Sequence, residues 1–212
     1  MCGIAGSNNK DRSFKLYQSN LDRGYYSSGA LILNKDNQPS IRKVLGVYNA
    51  PITESVPENY YLYHSRGPTV ETSQFIPEDN HPFSYGDWIV AHNGIISNFK
   101  ELCIQYFPQE DFTGKTDSCI IPRMLEENLK ISTALEELEG TFALWMYNKK
   151  FKRTYVARSA STLFANMYNG DFSSTEFERS LPLDEGVIYA IQDYETIVPV
   201  TEFKCNSPYF FI

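Results

Sequence analysis

No apolar run in the 212 residues approaches the roughly 20 needed to cross a bilayer as a helix. The first residues also lack the charged and apolar segments of a secretory leader. Cationic charge is scarce: 19 Lys and Arg stand against 26 Asp and Glu, a net charge of −7 with no basic cluster to offset it. That balance argues against non-specific nucleic-acid binding. The four cysteines, Cys2, Cys103, Cys119 and Cys205, have no Cys-x-x-Cys spacing, and the three histidines form no metal-ligand pattern. Free thiols in a reducing cytoplasm are expected, with no metal and no cofactor. No repeat, low-complexity tract, Ser/Gly linker or shift in composition divides the chain, so residues 1–212 are expected to form one domain, long enough to bury a proper core. What is plentiful is aromatic, 15 Tyr and 14 Phe, and such a composition belongs to a globular chain.

The most informative stretch is the first six residues, Met1-Cys2-Gly3-Ile4-Ala5-Gly6. Methionine aminopeptidases remove Met1 when the second residue is small, and Cys2 is small. The mature chain would then begin with a cysteine whose α-amine, with a pKa of about 7.7–8.0, accepts the proton of its own thiol. One residue supplies both nucleophile and base. Gly3 has no Cβ, which lets the backbone pass close to a bound ligand. The plainer alternative is a small buried cysteine on a first strand.

Residues 2–7 read as a short buried strand and 13–21 as a loose helix. A loop from Arg23-Gly24 to Gly29 leads into a strand over 30–33; a further strand covers 41–47 and a loop 50–58. The aromatic run 60–66 is strand-like and ends before Pro68, with Arg66 placed to clamp a carboxylate or simply to form a surface ion pair. Residues 70–82 are polar loop. A strand over 88–91 runs into His92-Asn93-Gly94. There Asn-Gly is either a turn or an oxyanion site made of the Asn93 amide and the Gly94 N–H. Ser97 or Asn98 caps a helix through Cys103 and Tyr106. Asp117 stands as N-cap or first-turn acid before the periodic run Ile120, Ile121, Met124 and Leu125. A short helix over 134–138 precedes strands at 141–147, 154–157, 163–167, 187–191 and 196–203. The reading is one α+β domain, strand-rich in its second half.

Taken together these segments resemble the class II, N-terminal-nucleophile, glutamine amidotransferases, most of all the glutaminase domain of glucosamine-6-phosphate synthase. The motifs are Cys2-Gly3-Ile4-Ala5-Gly6, Arg23-Gly24 through Gly29, His64-Ser65-Arg66 with Thr69, His92-Asn93-Gly94-Ile95-Ile96-Ser97-Asn98, and Thr116-Asp117-Ser118. Ala157-Arg158-Ser159, Leu163, Ser173-Ser174, Leu181-Pro182-Leu183 and Glu185-Gly186 follow in the same order, so the likeness covers nearly the whole chain. The resemblance implies a four-layer αββα sandwich of two antiparallel sheets. It also implies roles: Cys2 attacks the side-chain amide of L-glutamine, and Asn93 and Gly94 form the oxyanion hole. Arg66 and Thr69 would hold the α-carboxylate, Asp117 with Gly94 the α-ammonium, and Arg23 would support the nucleophile. A γ-glutamyl thioester would release ammonia and then be hydrolysed to glutamate.

This chain departs from the synthase pattern in places. Gly67-Pro68-Thr69-Val70 stands where that pattern has a bulky aromatic and a later histidine, beside the glutamine pocket. The stretch between Cys2 and Arg23 is shorter than usual. No ammonia-consuming domain follows before Ile212. The expected partner is therefore a separately encoded synthase, with the aromatic tail 208–212 as a candidate docking surface and neither nucleic acid nor membrane as a partner. An autonomous γ-glutamyl amide hydrolase and an inactive binding or regulatory domain are the alternatives; retention of Cys2, Arg66, Asn93, Gly94 and Asp117 together argues against the last.

Overall fold

The computed structural model describes residues 2–54, 58–67 and 76–206, which form thirteen strands and four α-helices. The strands are β1 (Gly3–Ser7), β2 (Ser27–Asn34), β3 (Pro39–Leu45), β4 (Glu58–Arg66), β5 (Phe83–Tyr85), β6 (Trp88–Ile96) and β7 (Gly140–Asn148). They continue with β8 (Arg153–Ser159), β9 (Phe164–Asn166), β10 (Asp171–Ser173), β11 (Leu181–Pro182), β12 (Val187–Gln192) and β13 (Thr196–Glu202). The helices are α1 (Lys10–Gln18), α2 (Phe99–Tyr106), α3 (Ile120–Glu127) and α4 (Ile131–Glu136). Pairing is antiparallel throughout two sheets, ordered β11-β9-β10-β1-β4-β2-β3 and β13-β12-β8-β7-β6-β5.

Side chains alternate across a strand, and here both faces are covered, which is why strands such as 30–33 read as unbroken apolar runs. From β2 and β4, Leu31, Leu33, Tyr60 and Leu62 turn inward and meet Ile89, Ala91, Ala143, Trp145 and Tyr147 of the second sheet. Their neighbours Ala30, Ile32, Tyr61 and Tyr63 turn outward under Phe14 and Tyr17 of α1. On the far face of the second sheet, Val90, Leu144 and Met146 pack against Leu102 of α2, Ile121 and Met124 of α3 and Leu135 of α4. The layers are therefore helix, sheet, sheet, helices, the αββα order. A one-residue slip in β2 or β4 would exchange the two faces. Register is also held across the sandwich, where the Trp145 Nε1–H donates to the Tyr63 carbonyl at 3.2 Å.

Several expectations shift. The first helix starts at Lys10, three residues early, because the Asn9 side chain accepts from the Arg12 N–H at 2.9 Å and caps it. Asn98 occupies the cap position of α2, but its amide instead ties to the Glu137 carbonyl at 2.8 Å and the Glu139 N–H at 3.0 Å. Strands β5, β10 and β11 were not legible, since two or three residues carry no alternation to read. At Asn93-Gly94 the chain does not turn: β6 runs on to Ile96 with Gly94 at φ 152°. A Cβ there would sit 1.9 Å from the Thr141 carbonyl oxygen on β7, so only glycine lets the strand through. Thr69, with the rest of 68–75, and the tail 208–212 lie outside the described residues.

Candidate active site

Cys2 immediately precedes β1, near the middle of the first sheet, and pairing of Gly3 with Ser65 sets it level with Arg66 at the end of β4. The residue is half-buried, and its thiol makes one weak bond, to the Gly67 carbonyl at 3.9 Å. Burial pushes the thiol above its ordinary pKa of 9.0; a backbone hydrogen bond at Gly67 and the Arg66 charge pull the other way, and Asp117 adds to the rise. At neutral pH the sulfur is therefore protonated, and a base must take its proton before it can attack. The Arg23 Nε–H donates to the Cys2 carbonyl at 2.8 Å and fixes the backbone of the nucleophile. At Gly3 a Cβ would lie 2.5 Å from the Cβ of Asn20, so packing against Asn20 by itself calls for glycine there.

Asn93 is buried on β6 of the second sheet, and its Nδ2 donates to Ser174 Oγ at 3.4 Å. The same Oγ accepts from the Ile4 N–H on β1 at 3.1 Å, and the Ser174 N–H donates to the Ile4 carbonyl at 2.9 Å. Ser174 thus joins the nucleophile's strand to the Asn93 amide across the two sheets. As a site residue it escaped sequence reasoning, because a buried serine after a three-residue strand looks like any other. Ser174→Ala is expected to cost about 1–3 kcal/mol of stability by orphaning the Ile4 N–H and to lower kcat more than it raises KM. Thermal unfolding and steady-state kinetics check both parts.

A cavity of about 400 Å³ opens on one side of Cys2, with Arg66, His81, His92, Gly94 and Asp117 in its walls. The Arg66 Nη1 donates to Asn80 Oδ1 at 2.7 Å and to the Asp79 carbonyl at 3.2 Å. Among the described residues no carboxylate forms a salt bridge with Arg66. Asp117 does not cap α3 but is the first-turn acid of the 3₁₀ turn Asp117–Cys119 that leads into it. Its Oδ2 accepts from the Ile96 N–H at the end of β6, at 2.7 Å, and its Oδ1 from the Ser118 N–H at 2.9 Å. A fixed cation and a fixed anion therefore share one cavity with a thiol.

All three histidines, at most 5% exposed, gather beside this cavity. His64 donates from Nε2 to the His92 carbonyl at 3.1 Å and stacks on His81 with ring centres 3.9 Å apart. The His92 Nε2 lies 3.3 Å from the Thr141 carbonyl and must donate to it, leaving Nδ1 to accept from Ser118 Oγ at 2.9 Å. Burial holds the cluster neutral: it brings His64 down to about 3, and it lowers His81 and His92 as well, with the Asp117 charge opposing the effect at His92. Both ring nitrogens of His81 are buried without a hydrogen-bond partner among the described residues. Positions 64, 81 and 92 share no motif spacing, so the cluster was invisible in the sequence. Among the described residues no three His, Cys, Asp or Glu are placed to hold a metal ion, no helix is long and apolar enough to cross a membrane, and Cys2, Cys103, Cys119 and Cys205 are free.

Residues 71–175 match a family described as a glutamine amidotransferase domain. Over 186 residues the chain is 27% identical to a glutamine–fructose-6-phosphate aminotransferase (isomerizing) of Staphylococcus aureus, with 80% of this chain and 31% of that protein covered. The same enzyme of Staphylococcus epidermidis is 25% identical with the same coverage. This chain therefore spans about a third of the length of these curated relatives. In fold it is similar to glutamine phosphoribosylpyrophosphate amidotransferase from B. subtilis, solved with ADP and GMP. That likeness has a TM-score of 0.74 and 17% identity, covering 97% of this chain and 50% of the other.

Proposed function

We propose that residues 1–212 act as one class II glutamine amidotransferase domain, hydrolysing the side-chain amide of L-glutamine through a γ-glutamyl thioester on Cys2. The observation that carries the reading is one cavity in which the Cys2 thiol, the Arg66 cation and the Asp117 anion meet. Free glutamine is a zwitterion with an amide at its far end, so a cation, an anion and a nucleophile are what it asks for.

Once Met1 is removed, the α-amine of Cys2 takes the thiol proton and the sulfur attacks the amide carbon. Negative charge develops on the carbonyl oxygen, where the Asn93 Nδ2 and the Gly94 N–H are the donors at hand. As the tetrahedral adduct collapses, the C–N bond breaks, and the proton held by the α-amine goes to the departing nitrogen. Water then attacks the thioester, the C–S bond breaks, and glutamate leaves. Arg66, together with Thr69, holds the α-carboxylate; Asp117 and Gly94 hold the α-ammonium; Arg23 keeps the Cys2 carbonyl in place. The ammonia passes to an acceptor synthase.

Binding and chemistry separate in two variants. Arg66→Ala leaves the substrate carboxylate unpaired in a partly desolvated cavity, so KM for glutamine should rise by a factor worth about 2–4 kcal/mol. Asn93→Ala should lower kcat by about 10²–10³-fold with KM little changed. Steady-state kinetics with unchanged KM in the first variant, or unchanged kcat in the second, would reassign the residue concerned.

A further inference from the structure

Cys2, Gly67 and Gly94 border two cavities, not one. The second, of about 410 Å³, lies against Arg23, Ile95, Thr141, Ala160, Ser161 and Thr162. Its position follows from the shape of the substrate. With the α-carboxylate and α-ammonium on Arg66 and Asp117 and the side-chain amide carbon at sulfur, the amide nitrogen points away from the first cavity. Free ammonia needs no more room there than a water molecule, about 30 Å³, whereas the space present is of the size that ligands occupy.

Resting on the Cys2 reading above, we propose that this second cavity is a leaving-group site and that the chain also cleaves γ-glutamyl amides of small amino acids, the leaving amino acid placing its carboxylate on Arg23.

The lining specifies that class. Ser161 Oγ donates to the Asn93 carbonyl at 3.3 Å and Thr162 Oγ1 to the Ser174 carbonyl at 2.8 Å, so these hydroxyl protons are already committed. Arg23 is the charged group that remains. Its Nε is held by the Cys2 carbonyl, and among the described residues no carboxylate forms a salt bridge with it. Burial lowers its pKa, the mark of a poorly compensated cation. A carboxylate arriving on the leaving group supplies the missing partner, while Ile95 and Ala160 face a small apolar side chain. The chemistry balances as it does for glutamine. The C–S bond forms, the C–N bond breaks, and the proton on the Cys2 amine goes to the leaving nitrogen. The amino acid departs, and one water converts the thioester to glutamate and returns Cys2.

The test compares L-glutamine, γ-glutamylalanine and γ-glutamylethylamide on the purified chain, reading kcat/KM for each. The dipeptide should be cleaved within about tenfold of glutamine and at least about tenfold faster than the ethylamide, which lacks the carboxylate. Arg23→Gln should lower the dipeptide at least about tenfold more than glutamine. Ile95 is more than half exposed and makes no side-chain hydrogen bond, so Ile95→Trp should fill the cavity, impair the dipeptide and spare glutamine. Circular dichroism and thermal unfolding serve as the folding control in each variant. Cleavage of glutamine alone, or equal rates for dipeptide and ethylamide, overturns the leaving-group site and leaves the glutaminase reading standing. Cleavage of neither glutamine nor the dipeptide takes down both.

Discussion

Cys2→Ala is expected to abolish glutamine hydrolysis, a loss on the order of 10⁴–10⁶-fold in kcat, while the protein stays folded. The thiol makes only a 3.9 Å bond to the Gly67 carbonyl and the residue is half-buried, so its removal leaves no orphaned strong donor or acceptor. A stability change of no more than about 1 kcal/mol is expected. Retention of Met1 should silence the protein equally, because the nitrogen of Cys2 is then an amide and no base. Intact-mass analysis that finds Met1 on fully active protein would remove the α-amine from the mechanism. The pH profile offers a second check. Burial has moved the thiol above 9.0, so direct ionisation would make kcat/KM climb through pH 9 and beyond. With the α-amine as base the climb ends once that amine is neutral, near pH 8. A plateau above about pH 8 supports the amine; a continuing rise counts against it.

The second large effect is a steep loss of stability in mild acid. In an unfolded chain each histidine has a pKa of about 6.5, whereas in the fold His64 is brought down to about 3 and His81 and His92 are lowered by burial. Above about pH 7 neither state holds these protons, and the histidines do not affect the balance. As pH falls below about 6.5 the unfolded chain takes them up and the folded chain refuses them, so stability drops until the folded pKa values are reached. Each such histidine costs about 1.4 kcal/mol per pH unit, and three cost about 4. The Asp117 charge makes the share of His92 smaller. Against a typical total of about 5–15 kcal/mol, two pH units remove a large share of the stability. Urea melts between pH 7.5 and 4.5 should show this slope, with about two to three protons taken up on unfolding near pH 5. A flat profile, or a histidine titrating near 6.5 by NMR in the folded protein, would show that the cluster is not held neutral. His64→Phe should flatten the slope by about one proton.

Some of this protein is written locally in its chain. A small second residue, the apolar run of β2, the arginine closing the aromatic run of β4 and the Asn-Gly pair after an apolar strand each lie within a few consecutive residues. Covalent neighbours and period-2 alternation are enough to mark them, and they nominate Cys2, Arg66, Asn93 and Gly94 in a strand-rich α+β domain. The αββα sandwich is implied only by the resemblance that these motifs carry. Tertiary structure decided the rest. Asp117, whose position before a helix reads as a cap, spends its carboxylate on the Ile96 N–H, 21 residues back. Gly3 is needed because Asn20 crowds it, Ser174 ties Ile4 to Asn93, and the three histidines meet only when β4 and β6 face each other. The same facing of sheets places cavities on both sides of the thiol. Contacts of this kind are set by antiparallel register and by the stacking of one sheet on the other, and residues tens to hundreds of positions apart carry no mark of them before the chain folds.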